Sequence, residues 1–392
     1  MPVEFDADSF KPAELKWTEQ GPANIGLGVA EMDFGTAPVV VDAVHDALRS
    51  GVHGYLSPAR SLATRVASAQ WQKSRYGWSV DPEMVRLVPD VVTALFRIMT
   101  EYINPEWPVM VMTPAYPKFF KIADALGRRS IGVELLREPS AFTLDLERVE
   151  GHLKTEGPCL VVLCNPHNPT GSVLKEGELV QLAELVRRHG GIVISDEVHA
   201  PLAYPSATHL PFASLPGESA SSITFTITSA SKAWNISGIK CAEVILPHRN
   251  AVAAWDASEM LRSTSNSTST LGAVAAMAAY LDGAEWLDSV IDYLAGNRDV
   301  VSLFARTELP VIGYVEPEAS YLSWLELPEW LGQGNAGPAE FISRAARVSA
   351  MEGADFGPVS KDFVRLGFAT SRPVLLQALD RIADAIKGGP VK

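Results

Sequence analysis

Cysteine is scarce in this chain: Cys159, Cys164 and Cys241 are its three. The odd count and the lack of a Cys-x-x-Cys pair argue against a disulfide framework. Each lies in or beside an apolar run, so buried thiols in a reducing cytosol are expected. Long apolar runs are missing too. The longest, Leu271–Leu281 and Cys159–Cys164, fall short of a bilayer span. The stretch Met1–Phe10 is polar and acidic, with no basic flank, and a cytoplasmic protein is expected. Positive charge is in deficit, with 33 basic against 46 acidic residues and a net charge of -13. Such a chain gains nothing from counterion release, which argues against a nucleic-acid partner. Three catalytic signatures are also missing: the Gly-x-Ser-x-Gly elbow, the Gly-x-x-x-x-Gly-Lys phosphate loop, and His-Glu-x-x-His or Cys/His zinc spacing. No metal is expected. Gly332–Gly337 fits a dinucleotide fingerprint literally, but Pro328-Glu329-Trp330 precedes it and Pro338 follows, so a loop is expected.

What is present is an ordinary globular composition, 47% hydrophobic and 20% charged over 392 residues. Short apolar runs alternate with helical patterns. Val109–Met112, Ile131–Leu136, Cys159–Cys164, Ile192–Ile194, Ile223–Thr228 and Cys241–Leu246 read as strands. Continuous Val/Ile/Leu runs suit parallel strands covered on both faces. Tyr116–Leu126, Asp145–Leu153 and Lys175–His189 read as the helices between them. The alternation predicts an α/β fold with a mostly parallel central sheet. Beyond Leu246 the pattern predicts helices over Thr268–Leu281, Ala284–Arg306, Pro338–Met351 and Pro373–Lys387, a strand over Tyr321–Leu325, and a loop over Ser263–Thr270. The expected organisation is an arm and part of a small domain at 1–49, a large domain at 50–282, and the rest of a smaller α/β domain at 283–392.

Polar clusters follow three of these strands. They are Asn165–Gly171, Ser195–His199 and Ser229–Lys232. The carboxyl ends of parallel strands line one edge of a sheet, where ligands bind. An amide, a carboxylate, an imidazole and a lysine can therefore converge there. That set suits pyridoxal 5'-phosphate, whose aldehyde needs a lysine and whose pyridine nitrogen needs a carboxylate. Its phenolate needs donors, and its phosphate needs hydroxyls and helix N-terminal amides.

These motifs resemble those of the fold-type I pyridoxal-phosphate enzymes. Ala30–Phe34, Thr113–Phe120, His209–Ser214 and Phe363–Thr370 narrow the resemblance to the MalY/PatB-type cystathionine β-lyases of the class I/II aminotransferase superfamily. The resemblance implies Lys232 as the cofactor lysine and the acid/base at the substrate Cα, and Asp196 as the partner of the pyridine nitrogen. It implies Asn168 and His199 at the phenolate oxygen, and Tyr116 stacked on the ring. Ser229, Ser231, Lys240 and the backbone amides of Val92 and Thr93 would hold the phosphate. Tyr55 would reach the phosphate in a neighbouring subunit of a homodimer, and Arg372 would grip the substrate carboxylate. Arg365 lies nearby as a competitor for that last role. Asp90 stands where the subgroup commonly has glycine, and Lys240 where many relatives outside it have arginine.

The activity implied is carbon–sulfur β-lysis of a small amino-acid substrate, L-cystathionine or a related cysteine S-conjugate. The alternatives are an aminotransferase on the same cofactor and a regulatory binding protein on the same fold.

Overall fold

The computed structural model describes residues 15–18, 24–309, 314–332 and 337–388. Its central sheet has seven strands: β1 (Val85–Val88), β2 (Val109–Thr113), β3 (Ser130–Glu134), β4 (Leu160–Cys164), β5 (Ile192–Asp196), β6 (Thr224–Thr228) and β7 (Ala242–Ile245). The order across it is β1-β7-β6-β5-β4-β2-β3. Every residue of β2 and β4 is buried, as the unbroken apolar runs predict for strands covered on both faces. Alternate side chains go to opposite layers. Val109, Val111, Leu160 and Val162 pack with Leu95, Ile98, Phe119 and Ile122 of the helices Val91–Glu101 and Pro117–Ala125. Met110, Met112, Val161 and Leu163 pack with Val149, Leu153, Leu179 and Leu182 of the helices Leu146–Glu156 and Glu176–Arg188. Each such fully buried side chain is worth about 1.5–3 kcal/mol of transfer free energy.

The β2–β3, β2–β4, β4–β5 and β5–β6 pairs are parallel. The strand over Cys241–Leu246 departs from the parallel pattern. It is β7, antiparallel to both β6 and β1, because the loop after β6 closes with the short turn Ser237–Ile239 and a left-handed Lys240, which send the chain back. Strand β1 was not anticipated. It carries Arg86 at its middle and Pro89 just beyond, which masks a short edge strand. Chain order places β2 between β3 and β4, so the sheet reverses its growth there. The segments after β2, β4, β5 and β6 open on one edge at this switch point.

A second, three-stranded antiparallel sheet contains β8 (Leu322–Glu326), β9 (Met351–Glu352) and β10 (Phe363–Gly367), in the order β8-β10-β9. The two ends of the chain meet beside it. Ile25–Gly26 pairs with Val348–Ser349, and the Gly367 amide donates to the Leu27 carbonyl at 2.7 Å. Two expectations are corrected here. The helix expected to reach Met351 ends at Ala345, where Arg347 adopts a left-handed φ of 56° and the chain turns extended. Ser263–Asn266 belongs to the helix Glu259–Asn266, capped by the Ser258 hydroxyl, and the loop is confined to the residues after it. The glycine-rich stretch after Gly332 lies largely outside the described residues. Cys159, Cys164 and Cys241 are buried and free. Among the described residues no helix is long and apolar enough to cross a membrane.

Candidate active site

The turn after β6 is pinned by a serine. The Ser229 hydroxyl donates to the Cys241 carbonyl at 2.7 Å and accepts the Ser231 amide at 3.1 Å. The loop therefore leaves the sheet in a fixed direction and presents Lys232. Beyond it, Trp234 is fully buried, with its indole N–H on the Gly283 carbonyl at 3.0 Å. Asn235, at a left-handed φ of 55°, bonds the Met32 amide and the Met32 and Gly35 carbonyls. Sequence reasoning assigned Asn235 no role. Its side chain ties the N-terminal segment across the site.

That segment supplies the partner of Lys232, whose Nζ donates to the Ala30 carbonyl at 3.0 Å. The Tyr321 hydroxyl donates to the same oxygen at 2.9 Å. Burial lowers the Lys232 ammonium to about 8, and the charge of Arg365 adds to the effect. A lysine so shifted carries a usable fraction of neutral amine near neutrality.

Asp196 ends β5 and is buried. Its carboxyl accepts the Val198 amide at 3.2 Å, and it has no ion-pair partner among the described residues. Burial pushes it up to about 7. A buried carboxylate in that state suits a cation such as a protonated ring nitrogen. The adjacent Glu197 is held rigidly by the Ser195 hydroxyl at 2.8 Å, the Phe212 amide at 2.9 Å and His209 Nε2 at 3.2 Å. His199 follows. Its Nδ1 shares a hydrogen bond with the Ser320 hydroxyl at 3.0 Å. Burial, with Lys232 and Arg365 adding to it, lowers the imidazole to about 3, so the ring is neutral.

Asn168, in the loop after β4, is buried, and its Oδ1 accepts Arg365 Nη1 at 3.1 Å. Tyr116 precedes the helix Pro117–Ala125, its ring edge-on to Phe119 at 5.6 Å. Its phenol is raised by burial, and the charges of Arg365, Asp196 and Asp90 act on it. At the far end, Asp90 caps the helix Val91–Glu101. Its Oδ1 accepts the Thr93 amide at 2.7 Å, and its Oδ2 accepts Lys240 Nζ at 3.2 Å. Val92 lies in the same first turn.

Two expected residues stand outside this cluster. Tyr55 is on the surface, 96% exposed, between the helices Pro38–Arg49 and Pro58–Tyr76. Arg372 packs against the helix Ala284–Glu308, with its Nε on Asn297 Oδ1 at 2.7 Å and its guanidinium 5.6 Å from the Tyr293 ring centroid. The arginine brought beside Asn168 is Arg365. It is 2% exposed, its Nη2 donates to the Gly28 carbonyl at 2.9 Å, and its Nε is buried with no hydrogen-bond partner. An arginine flanked by Val364 and Leu366 on a strand was the signal for it in the sequence.

A nucleophilic amine, an unpaired buried carboxylate, a neutral imidazole, an amide and a buried guanidinium thus share one edge of an α/β sheet. The donor set suits an aromatic aldehyde cofactor with a basic ring nitrogen, and an amino-acid carboxylate beside it. The class so defined is the fold-type I, pyridoxal-phosphate type of α/β protein. The chain belongs to the aminotransferase class I and II family, whose model matches residues 22–383. It is 33% identical to the cystathionine beta-lyase PatB of Bacillus subtilis over 377 residues, covering 95% of this chain and 96% of that one. It is 34% identical to the cystathionine beta-lyase of Corynebacterium glutamicum over 374 residues, covering 95% of this chain and 96% of that one. The PLP-bound C-S lyase of Staphylococcus hominis superposes with a TM-score of 0.90 at 25% identity, over 99% of this chain and 100% of that one.

Proposed function

We propose that this chain is a pyridoxal-phosphate carbon–sulfur β-lyase. It cleaves L-cystathionine or a related cysteine S-conjugate to thiol, pyruvate and ammonia. The observation that carries the reading is that Lys232, lowered to about 8 with its Nζ on the Ala30 carbonyl, and Asp196, a buried carboxyl that makes no salt bridge among the described residues, stand at one edge of the sheet. The names of the similar lyases support the reaction type.

When bound, the cofactor supplies an aldehyde for the substrate amine and a protonated ring that withdraws charge from Cα. The chain's own residues do the rest. Lys232 holds the aldehyde end and then moves the proton at the substrate Cα. Asp196 keeps the ring nitrogen protonated, and the cation it gains offsets the burial that otherwise raises its carboxyl. His199, neutral, and Asn168 orient the phenolate side. Tyr116 covers the ring, Ser231, Lys240 and the amides of Val92 and Thr93 hold the phosphate, and Ser229 shapes the turn that presents Ser231. Arg365, rather than Arg372, takes the substrate carboxylate. It is an already buried fork, and exchanging the Gly28 carbonyl for a carboxylate strengthens its hydrogen bonds. The protein works in the cytosol as a homodimer, in which the exposed Tyr55 of each subunit faces the other's phosphate.

The test is product release from cystathionine, cystine and S-alkyl cysteines without a keto-acid acceptor. The expected result is stoichiometric pyruvate and ammonia, with a thiol from cystathionine and S-alkyl cysteines and a persulfide from cystine. Turnover that starts only when an acceptor is added would make the chain an aminotransferase.

A further inference from the structure

Four of the donors expected at the phosphate end already have partners inside the chain: the Thr93 amide, Lys240, the Ser229 hydroxyl and the Ser231 amide. The Thr93 amide is on Asp90 Oδ1 at 2.7 Å, and Lys240 Nζ is on Asp90 Oδ2 at 3.2 Å. The Ser229 hydroxyl proton is on the Cys241 carbonyl at 2.7 Å, and the Ser231 amide is on Ser229 Oγ at 3.1 Å. One carboxylate thus engages two cationic or partly positive donors at once, as an oxyanion of phosphate would. Both side chains are part-exposed, Lys240 at 54% and Asp90 at 32%, so an incoming anion can reach them.

We propose that Asp90 is a built-in stand-in for the cofactor phosphate, so that loading the cofactor exchanges one anion for another. This rests on the cofactor reading above. The phosphate takes Lys240 and the first-turn amides, and Asp90 must release them or stay beside a dianion. Burial works against the Asp90 charge, yet the Thr93 amide and Lys240 hold its carboxyl below the usual range, so it is ionised wherever the enzyme works. The consequence is weaker retention of pyridoxal phosphate than an uncharged residue would give at this position. Asp90 acts here on the phosphate alone. It has no part in the chemistry at Lys232.

The test uses the full apo chain and two probes, pyridoxal phosphate and inorganic phosphate. Asp90→Asn keeps an acceptor for the Thr93 amide and removes the charge, so the helix cap survives. The variant is expected to bind pyridoxal phosphate about tenfold more tightly, and inorganic phosphate in the same proportion, because one carboxylate is gone from beside a dianion at a half-exposed site. Asp90→Ser, also a good cap, should do likewise. Binding unchanged or weakened in both variants would overturn the proposal, and weakening would mean that Asp90 helps the phosphate by orienting Lys240. If neither wild type nor variant developed the visible absorbance of lysine-bound cofactor, both the cofactor reading and this proposal would fall. A band in all three proteins with no gain in affinity would sink the Asp90 proposal alone.

Discussion

Around Lys232 and Asp196, buried and half-buried ionisable groups have few polar partners. Around Asp90 and Ser229, at the other end of the same site, the polar groups are matched to one another. The difference shows in the acid–base behaviour. At the first end burial drives a lysine down to about 8, a carboxyl up to about 7 and an imidazole down to about 3. At the second, hydrogen bonds and a lysine keep Asp90 ionised against burial. On the proposed reading, the ring end holds groups in perturbed states that a bound cofactor would relieve, and the phosphate end holds matched groups that it would have to disturb. Reactivity is concentrated where partners are withheld.

Removing the amine should have the largest effect. Lys232→Ala is expected to abolish the visible band of bound cofactor and to lower β-lyase turnover by about 10³-fold or more. The same lysine gives the comparison a pH axis. Only the neutral amine attacks an aldehyde, so below about 8 the rate of band formation in the wild-type apo chain should fall roughly tenfold per pH unit, and above 8 it should level. Stopped-flow absorbance across that range is the measurement. A midpoint near 10.5, the ordinary lysine value, would mean that the ring end perturbs nothing.

The two arginines provide the next largest separation. Arg365→Lys replaces a planar fork with a point charge and is expected to raise KM for cystathionine about 100-fold. Arg372→Ala removes a bond to Asn297 and a stack on Tyr293. It should cost about 1 kcal/mol of stability and leave KM within about twofold. Steady-state kinetics beside thermal melts distinguishes the two. The reverse pattern would return the carboxylate to Arg372.

The sequence carried the sheet well because β2 and β4 are apolar over nearly their whole length and β5 opens on Ile192-Val193-Ile194, as strands covered on both faces do. It also brought Asn168, Asp196, His199 and Lys232 to one edge, since each ends a strand or lies in the loop that follows one. Strand direction was less legible. The composition of Ala242–Ile245 is the same whether it runs with its neighbours or against them, and only the turn at Lys240 decides. The choice between Arg365 and Arg372 depends on which face of β10 meets the loop after β4, a tertiary contact with no local signal. Asp90 reads locally as the opening of a helix with amides to offer an anion. That its own carboxylate takes one of them is visible only in the folded chain.

The smallest effect on cofactor binding is expected at Ser229, and it probes the matched end most directly. A serine hydroxyl has one proton to donate, and here the Cys241 carbonyl holds it. Ser229→Ala strands that carbonyl and the Ser231 amide in a buried turn, at a cost of about 1–3 kcal/mol. The melting temperature of the apo chain should therefore fall. Cofactor affinity should fall by only about twofold, because the lost proton was not waiting for the phosphate. The opposite outcome, a tenfold loss of affinity with an unchanged melt, would mean that the hydroxyl leaves Cys241 for the phosphate at little cost. The phosphate end would then be as ready for its ligand as the ring end, and the contrast between the two would reduce to Asp90 alone.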